Sequence, residues 1–280
     1  MIDLHSHTTE SDGTFTPAEL IAEAKRIGLE ALAITDHDTF RGYEQALPLA
    51  KEAGLELLCG IELSTKFGGA TVHMLAYFPW TPPAPDFCLW LDKLLESRRD
   101  RNRRLIAKLQ SIGVDITLEE VESQGRTLTA RPHFGRVLMD KGYVSTMQEA
   151  FDKYLDESAP GYVQRQEVPV DDAIKRVIAA GGVASLAHPV RVAKNDWDTL
   201  AVWVEKMAGA GMRGIEVFHS DHTPENVGFY KSLAKQFELT VTGGSDFHGA
   251  NKPSIELGFG HRKNLTVPYS VLEGLRNLRR

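Results

Sequence analysis

A chain of 280 residues with 42% hydrophobic and 25% charged side chains has the composition of a soluble globular protein. It is long enough for one α/β barrel with an insertion, and its composition excludes collagen, coiled coil and bulk disorder. Lysine and arginine number 32 against 38 aspartates and glutamates, a net charge of −6, so no global basic field holds long nucleic acid and a polyanion has to be gripped locally.

The first residues, Met1-Ile2-Asp3-Leu4-His5, have neither the basic nor the apolar region of a signal peptide, and apolar runs such as Ala31–Ile34 fall far short of the roughly 20 residues a membrane helix needs. Two cysteines, Cys59 and Cys88, lie outside any CxxC pair, which points to a reducing, cytoplasmic setting. Residues 2–4 read as a first strand. Thr16-Pro17-Ala18-Glu19 reads as an N-cap with Pro at the first helical position; Leu20, Ala24 and Ile27 follow on one face and Gly28 stops the helix. A strand over 31–34, a helix over about 42–54, a strand over 55–61, a turn at Gly68-Gly69 and a strand over 71–77 continue a βα rhythm. Pro79 to Pro85 breaks it, and a long charged helix over about 86–111 follows. Capping boxes at Thr117 with Glu120 and Thr146 with Glu149 then announce short helices. The rhythm returns after Pro169, with strands at 183–186, 214–218 and 239–242 separated by helices over about 197–210 and 224–237. The simplest reading is one barrel, residues 1–80 and 170–280, interrupted by a helical insertion at 81–169 that shapes the substrate site. The basic end, residues 276–280, reads as a solvated helix terminus.

Most of the ten histidines follow a predicted strand, where barrel enzymes collect catalytic groups. His5-Ser6-His7 has the two-residue spacing that points both imidazoles to one side of an extended chain; alone it reads equally as chelation or as polar strand-end residues. Asp12 alone reads as a turn aspartate. His37, in Thr35-Asp36-His37-Asp38, reads either as part of a helix N-cap cluster or as a ligand whose ring the flanking carboxylates orient. Glu62, expected at the end of the third strand, needs a partner, water or a metal, whereas His73 within a strand has a satisfied core histidine as its rival reading. His188-Pro189 closes the fifth strand. Asp246-Phe247-His248 closes the last and repeats the chelating spacing behind Gly243-Gly244, where backbone can approach closely. Six histidines and three carboxylates at successive strand ends point to a metal cluster rather than to independent capping events.

Together, His5-x-His7 with Asp12, Thr35-Asp36-His37, Glu62, His73, His188-Pro189 and Asp246-x-His248 resemble the full motif set of the PHP family, the polymerase and histidinol phosphatase superfamily, across nearly the whole chain. Ala130-Arg131-Pro132-His133, residues 150–155 and residues 242–249 look like the branch that holds 3′,5′-nucleoside bisphosphate phosphatases and RNase AM-like 5′-to-3′ exoribonucleases. The resemblance implies an α/β fold, a distorted (β/α)7 barrel with a helical insertion, and three divalent ions per chain. By that analogy His5, His7, Glu62 and Asp246 hold the first ion, Glu62 bridges to a second held by His73 and His188, and Asp12, His37 and His248 hold the third. Nitrogen and oxygen donors without cysteine suit Mn, Zn, Fe or Mg, with Mn preferred. Three such ions outweigh three carboxylates and favour a phosphate dianion, with hydroxide drawn from an ion-bridging water, so no protein nucleophile is needed. Asp246, His248 and Glu62 are then the catalytic core, and His219 or His222 is the candidate to protonate the leaving alkoxide, each having a surface histidine in a loop as its rival reading.

Substrate choice is expected in the insertion. Five arginines fall within residues 98–104; most read as solvated, while a face of Arg99, Asn102 and Arg103 is expected to grip a remote phosphate. Arg131, His133 and Arg191 are further candidates for a second phosphate or a base stack, as Phe218 and Tyr162 are for stacking. The expected activity removes the 3′-phosphate from a small nucleotide, a nucleoside 3′,5′-bisphosphate, giving the 5′-monophosphate and phosphate. Stepwise 5′-to-3′ cleavage of short 5′-phosphorylated single-stranded RNA is a second activity; neither a membrane nor a stable protein partner is inferred. Rival readings are a phosphatase of another small phosphomonoester such as histidinol phosphate, against which the insertion argues, and a non-catalytic metal-binding or interaction module, against which the complete ligand set argues.

Overall fold

Strands buried on both faces have to be apolar nearly throughout, and helices that cover them need one apolar face. The computed structural model describes residues 1–124, 129–164, 168–192 and 196–278 and shows both patterns. In chain order, β1 (Ile2–Asp3), α1 (Pro17–Arg26), β2 (Ala31–Ile34), α2 (Arg41–Ala53), β3 (Glu56–Phe67) and β4 (Ala70–Phe78) build the first half. The insertion carries α3 (Pro85–Ser111), α4 (Leu118–Glu122), α5 (Arg131–Asp140), α6 (Met147–Ala150) and a π-turn at Phe151–Leu155. The chain returns through β5 (Val168–Pro169), α7 (Val170–Ala179), β6 (Val183–Leu186), α8 (Trp197–Gly209), β7 (Gly214–His219), α9 (Pro224–Gln236) and β8 (Thr240–Gly244), then a small β9 (Ile255–Glu256) and β10 (Gly260–His261) ribbon and α10 (Ser270–Asn277).

Seven strands line up as β1-β2-β3-β4-β6-β7-β8, and β5 pairs with the far end of β3. All neighbours along this path are parallel except β4, which runs antiparallel to both β3 and β6. The wall closes between β1 and β8, where the Leu4 amide donates to Gly243 O at 3.1 Å and the Asp246 amide to His5 O at 2.8 Å. A side chain at Gly244 would run into the backbone of His5 and the carboxylate of Asp3, so the closure requires glycine there. This is the expected distorted (β/α)7 barrel.

The capping box at α1 forms as the sequence predicts, with Thr16 Oγ1 accepting the Glu19 amide and Glu19 Oε2 the Thr16 amide. The third strand does not end at residue 61. Its pairing with β4 runs without a break from Cys59–Phe78 to Phe67–Ala70, so Glu62 lies in mid-strand rather than at an end. Two cores meet along α3. Phe87 and Leu91 in its first half pack into the barrel core, while Leu105, Ile106 and Leu109 pack with Phe134, Val137 and Leu138 into a separate core of the insertion. Burying each such side chain contributes about 1.5–3 kcal/mol. Among the described residues no helix is long and apolar enough to cross a membrane.

Candidate metal centre

The parallel strands deliver their C-terminal ends to one rim, and the loops leaving β1, β2, β6 and β8 carry His5, His7, Asp12, His37, His188, Asp246 and His248 there. Because β4 is reversed, His73 near its start reaches the same rim, paired opposite Ser64 on β3. All of these side chains are buried except that of His73, which is 27% exposed, so it is no core histidine.

Glu62 stands at the middle of the cluster and uses its two oxygens differently. Oε2 lies 3.4 Å from His5 Nε2 and 3.2 Å from His7 Nε2, and Asp246 Oδ1 lies 3.5 and 3.4 Å from the same nitrogens. Oε1 lies 2.9 Å from His73 Nδ1 and 3.0 Å from His188 Nε2. Asp12 faces His248 Nε2 at 3.3 Å, His37 Nε2 at 3.7 Å and His7 Nδ1 at 3.7 Å. His37 Nδ1 also approaches Glu62 Oε2 at 3.3 Å. Donor atoms of His5, His7, Glu62 and Asp246, of His7, Asp12, His37 and His248, and of His37, Glu62 and His73 each lie within 4.8 Å of one another, close enough for each set to share an ion.

The donors fit divalent ions. His5 Nε2, His7 Nε2 and His37 Nδ1 are buried without a hydrogen-bond partner among the described residues, and each such group costs about 1–3 kcal/mol if nothing satisfies it. Hydrogen bonds on the opposite ring nitrogens set the lone pairs. His5 Nδ1–H donates to Glu216 Oε1 at 2.9 Å, and His248 Nδ1–H donates to Asp246 O at 2.8 Å, which leaves each Nε2 free to ligate. His219 differs: its Nδ1 accepts the Asp221 amide at 3.0 Å, so the neutral ring carries its proton on Nε2, 3.6 Å from Asp246 Oδ2. His5 and Glu216 are hydrogen-bonded, while His219 Nε2 is buried without a hydrogen-bond partner among the described residues, and donor atoms of these three residues also lie within 4.8 Å of one another. His222 donates from Nδ1 to Val217 O and packs against Tyr230, behind His219, so it is a buried loop histidine and not a surface one.

Burial pushes His37 down to about 4 and His188 to about 3, keeping both rings neutral. Burial opposes ionisation of Glu62, but His37, His73 and His5 hold its carboxyl well below the usual range. For Asp246 the burial effect is likewise overcome, by Lys252, His248, His5 and Arg191. Neutral His37 and His188 beside ionised Glu62 and Asp246 are in the protonation state that ion binding requires, whereas burial is overcome at His5 and His7 by the neighbouring carboxylates, which raise both rings above the usual histidine value, so they must lose their protons to an ion. Three non-glycine residues here, Asp38, His188 and Asp246, have φ of +54°, +28° and +58°, which stores backbone strain at the cluster.

Asp36 does not orient the His37 ring. Its carboxylate accepts the Thr8 amide at 2.7 Å, Thr8 Oγ1 at 2.6 Å and Ser11 Oγ at 2.5 Å, pinning the loop that carries Asp12, and a side chain on Gly42 would collide with it. Asp38 pairs with buried Arg98 and accepts the Ser64 amide.

A cavity of about 210 Å³ leads from Asp12, His37 and His73 to Arg101, Arg131 and Tyr162 of the insertion. The expected face of Arg99, Asn102 and Arg103 is not the one that meets it. Arg99 and Arg103 are exposed and pair with Glu96 and Asp100, and Asn102 is buried with its amide on Thr129 O at 2.9 Å. The apolar stripe of α3, at Phe87, Leu91 and Leu105, continues through Arg98 and Arg101, and that register carried the signal. Arg131 lines the cavity with its guanidinium 5.8 Å over the Phe151 ring, whereas His133 Nδ1 is taken by the Ala130 amide. Arg191 sits at the rim on Asp221 and Asp246. Phe218 packs toward the barrel core under the Lys231 ammonium, outside this cavity's wall.

Sequence reasoning missed Glu216, Asp221 and Lys252. The rule that a carboxylate in a buried strand needs a partner, applied to Glu62, applies equally to Glu216 in Gly214-Ile215-Glu216-Val217. Asp221 and Lys252 carry no such signal.

The model of the PHP domain matches residues 3–130. Over 92% of its length the chain is 33% identical to the 3′,5′-nucleoside bisphosphate phosphatase of Chromobacterium violaceum, covering 90% of that protein. It is 34% identical to a 5′-3′ exoribonuclease of Haemophilus influenzae, with 96% of each chain covered. A solved structure from Bifidobacterium adolescentis, of an inferred metal-dependent phosphoesterase, superposes with a TM-score of 0.85 at 30% identity, covering 98% of this chain and 94% of that one.

Proposed function

The chain belongs to the PHP family and is a metal-dependent phosphoesterase, and from that premise we propose that it removes the 3′-phosphate from nucleoside 3′,5′-bisphosphates. The observation that carries this reading is the cavity that joins the Glu62-centred cluster to Arg101 and Arg131, because it offers a second anion site beside the one for the reacting phosphate.

In this reading His5, His7, Glu62 and Asp246 would hold one ion, Glu62 and His73 with the adjacent His188 a second, and Asp12, His37 and His248 a third, with Mn preferred over Zn, Fe or Mg. Bound divalent ions supply Lewis acidity toward phosphoryl oxygens and lower the pKa of water in the site toward about 7. Glu216 fixes the His5 ring, and Asp36 fixes the Asp12 loop. His219 holds its proton at Nε2 facing the cluster, which suits it to protonate the departing 3′ alkoxide; His222, turned away to Val217 O, is not suited. Arg101 and Arg131 take the 5′-phosphate, with Phe151 and Tyr162 beside the base.

The same 5′-phosphate anchor serves a second reading, stepwise 5′-to-3′ cleavage of short RNA, which the likeness to an exoribonuclease favours. Comparing kcat/KM of Mn-loaded protein on adenosine 3′,5′-bisphosphate, a 5′-phosphorylated oligoribonucleotide and histidinol phosphate tests both. The bisphosphate should lead histidinol phosphate by at least tenfold, about 1.4 kcal/mol; histidinol phosphate in the lead would overturn the proposal.

A further inference from the structure

Asp246 faces two ways. Its Oδ1 looks toward His5, His7 and His248, while Oδ2 receives Arg191 Nη1 at 2.9 Å and Lys252 Nζ at 2.5 Å, with His219 Nε2 at 3.6 Å. Two basic side chains thus converge on one carboxylate oxygen. Arg191 divides its donors between Asp246 and Asp221, and Asp221 is engaged in turn by His261 at 3.1 Å. Lys252 has Asp246 as its one ion-pair partner among the described residues, and its side chain is 29% exposed. An ammonium has three donors, so two remain for an incoming group.

The turn that carries Lys252 is braced from three sides. Asn251 Nδ2 donates to Asp12 O at 2.7 Å, Arg136 Nη2 donates to Asn251 Oδ1 at 2.7 Å, and the Ala250 amide donates to Thr14 Oγ1 at 2.8 Å. The loop bearing Asp12 and the insertion helix α5 therefore both fix where this ammonium stands.

We propose that Lys252, with Arg191, clamps the third non-bridging oxygen of a terminal phosphate and so biases the centre toward phosphomonoesters over internal phosphodiesters. The proposal rests on the phosphoesterase reading and deepens it. A phosphomonoester at neutral pH carries close to two negative charges and three non-bridging oxygens. A diester carries one charge and two such oxygens, and it puts a neutral ester oxygen and a sugar where the third would be. A cation pair on the Asp246 flank gains a partner only in the first case.

The test compares the Mn-loaded wild type with Lys252→Gln and Lys252→Arg on adenosine 3′,5′-bisphosphate and on a 5′-phosphorylated diadenylate. Inorganic phosphate binding by calorimetry and metal content by elemental analysis are measured alongside. A lost charged hydrogen bond predicts a fall of roughly 10- to 150-fold in kcat/KM for the bisphosphate in Lys252→Gln. Phosphate binding should weaken in step, the diadenylate rate should fall by less than about fivefold, metal content should stay unchanged, and Lys252→Arg should restore most of the loss. Equal losses on both substrates, loss of metal from Lys252→Gln, or unchanged phosphate binding would each overturn the clamp. A wild type that cleaves neither substrate would instead sink the phosphoesterase reading, and the phosphate-binding comparison would still decide the clamp.

Discussion

Glu216 Oε1 lies 2.9 Å from Nδ1 of His5, and its other oxygen accepts the His188 amide at 2.6 Å, so one carboxylate from β7 braces two candidate ligands on other strands. In Glu216→Gln the amide group would meet either the His5 N–H or the His188 N–H, donor against donor. Outer-shell changes of this kind cost about 10- to 100-fold in metal affinity. Chelator competition on stripped, reloaded protein checks this; unaltered affinity with a native circular dichroism spectrum would remove Glu216 from the support.

Asp246→Asn should leave the barrel folded and lower phosphate release by roughly a thousandfold or more, about 4 kcal/mol of barrier. Dialysis against chelator should do the same to the wild type and be reversed by Mn. Turnover that survives both treatments would end the metal-dependent account of this chain.

Arg98 and Asp38 form an ion pair with both side chains buried, 8% and 0% exposed. Removing one partner deprives the other buried charge of this ion pair, at a cost of about 3–5 kcal/mol, so Arg98→Met should show a clear loss in urea melts. The double variant Arg98→Met with Asp38→Asn should recover part of it. A single variant as stable as the wild type would mean that water reaches Asp38.

Ion uptake should depend on pH with a definite sign. Burial opposes protonation of His7, but the Asp246 and Glu62 carboxylates beside its Nε2 raise its pKa to about 9 in the ion-free protein. An arriving ion has to expel that proton, so apparent affinity should rise by up to about tenfold per pH unit between pH 6.5 and 9. The raised pKa also stabilises the ion-free fold fully below the ordinary histidine value of about 6.5, and this contribution fades as pH rises through about 9. Thermal melts with and without Mn at pH 6.5 and 8.5 should therefore diverge toward higher pH, and curves equally spaced at both values would contradict it.

Exposed Arg99 and Arg103 hold only surface pairs, so alanine at either should change stability by less than about 1 kcal/mol and leave kcat/KM unchanged. Arg131→Ala should raise KM for the bisphosphate roughly 10- to 150-fold, as expected for a lost charged hydrogen bond. The reverse ranking would return the 5′-phosphate to the outer face of α3.

The barrel and the nine clustered groups were legible because chelating pairs such as His5-x-His7 and Asp246-x-His248 follow apolar runs, and strand ends converge in a parallel barrel. The course of β3 past Glu62 was not legible, since Ser64, Thr65 and Lys66 lack the apolar signature and are held in strand by pairing with β4 and β5. The arginine face of α3 was misassigned because local spacing was weighed without the register of Phe87, Leu91 and Leu105, which decides the inward side. Lys252 was invisible because only the turn fixed by Asn251 brings it back over Asp246.

The place where the barrel closes lies directly beneath the cluster: the Asp246 amide that joins β8 to β1 donates to the carbonyl of His5. An ion shared by those two side chains would act as a clasp on the zip line between the chain's first and last strands. Hydrogen exchange in stripped protein should accordingly be fastest along that line, and loading should slow it there before anywhere else.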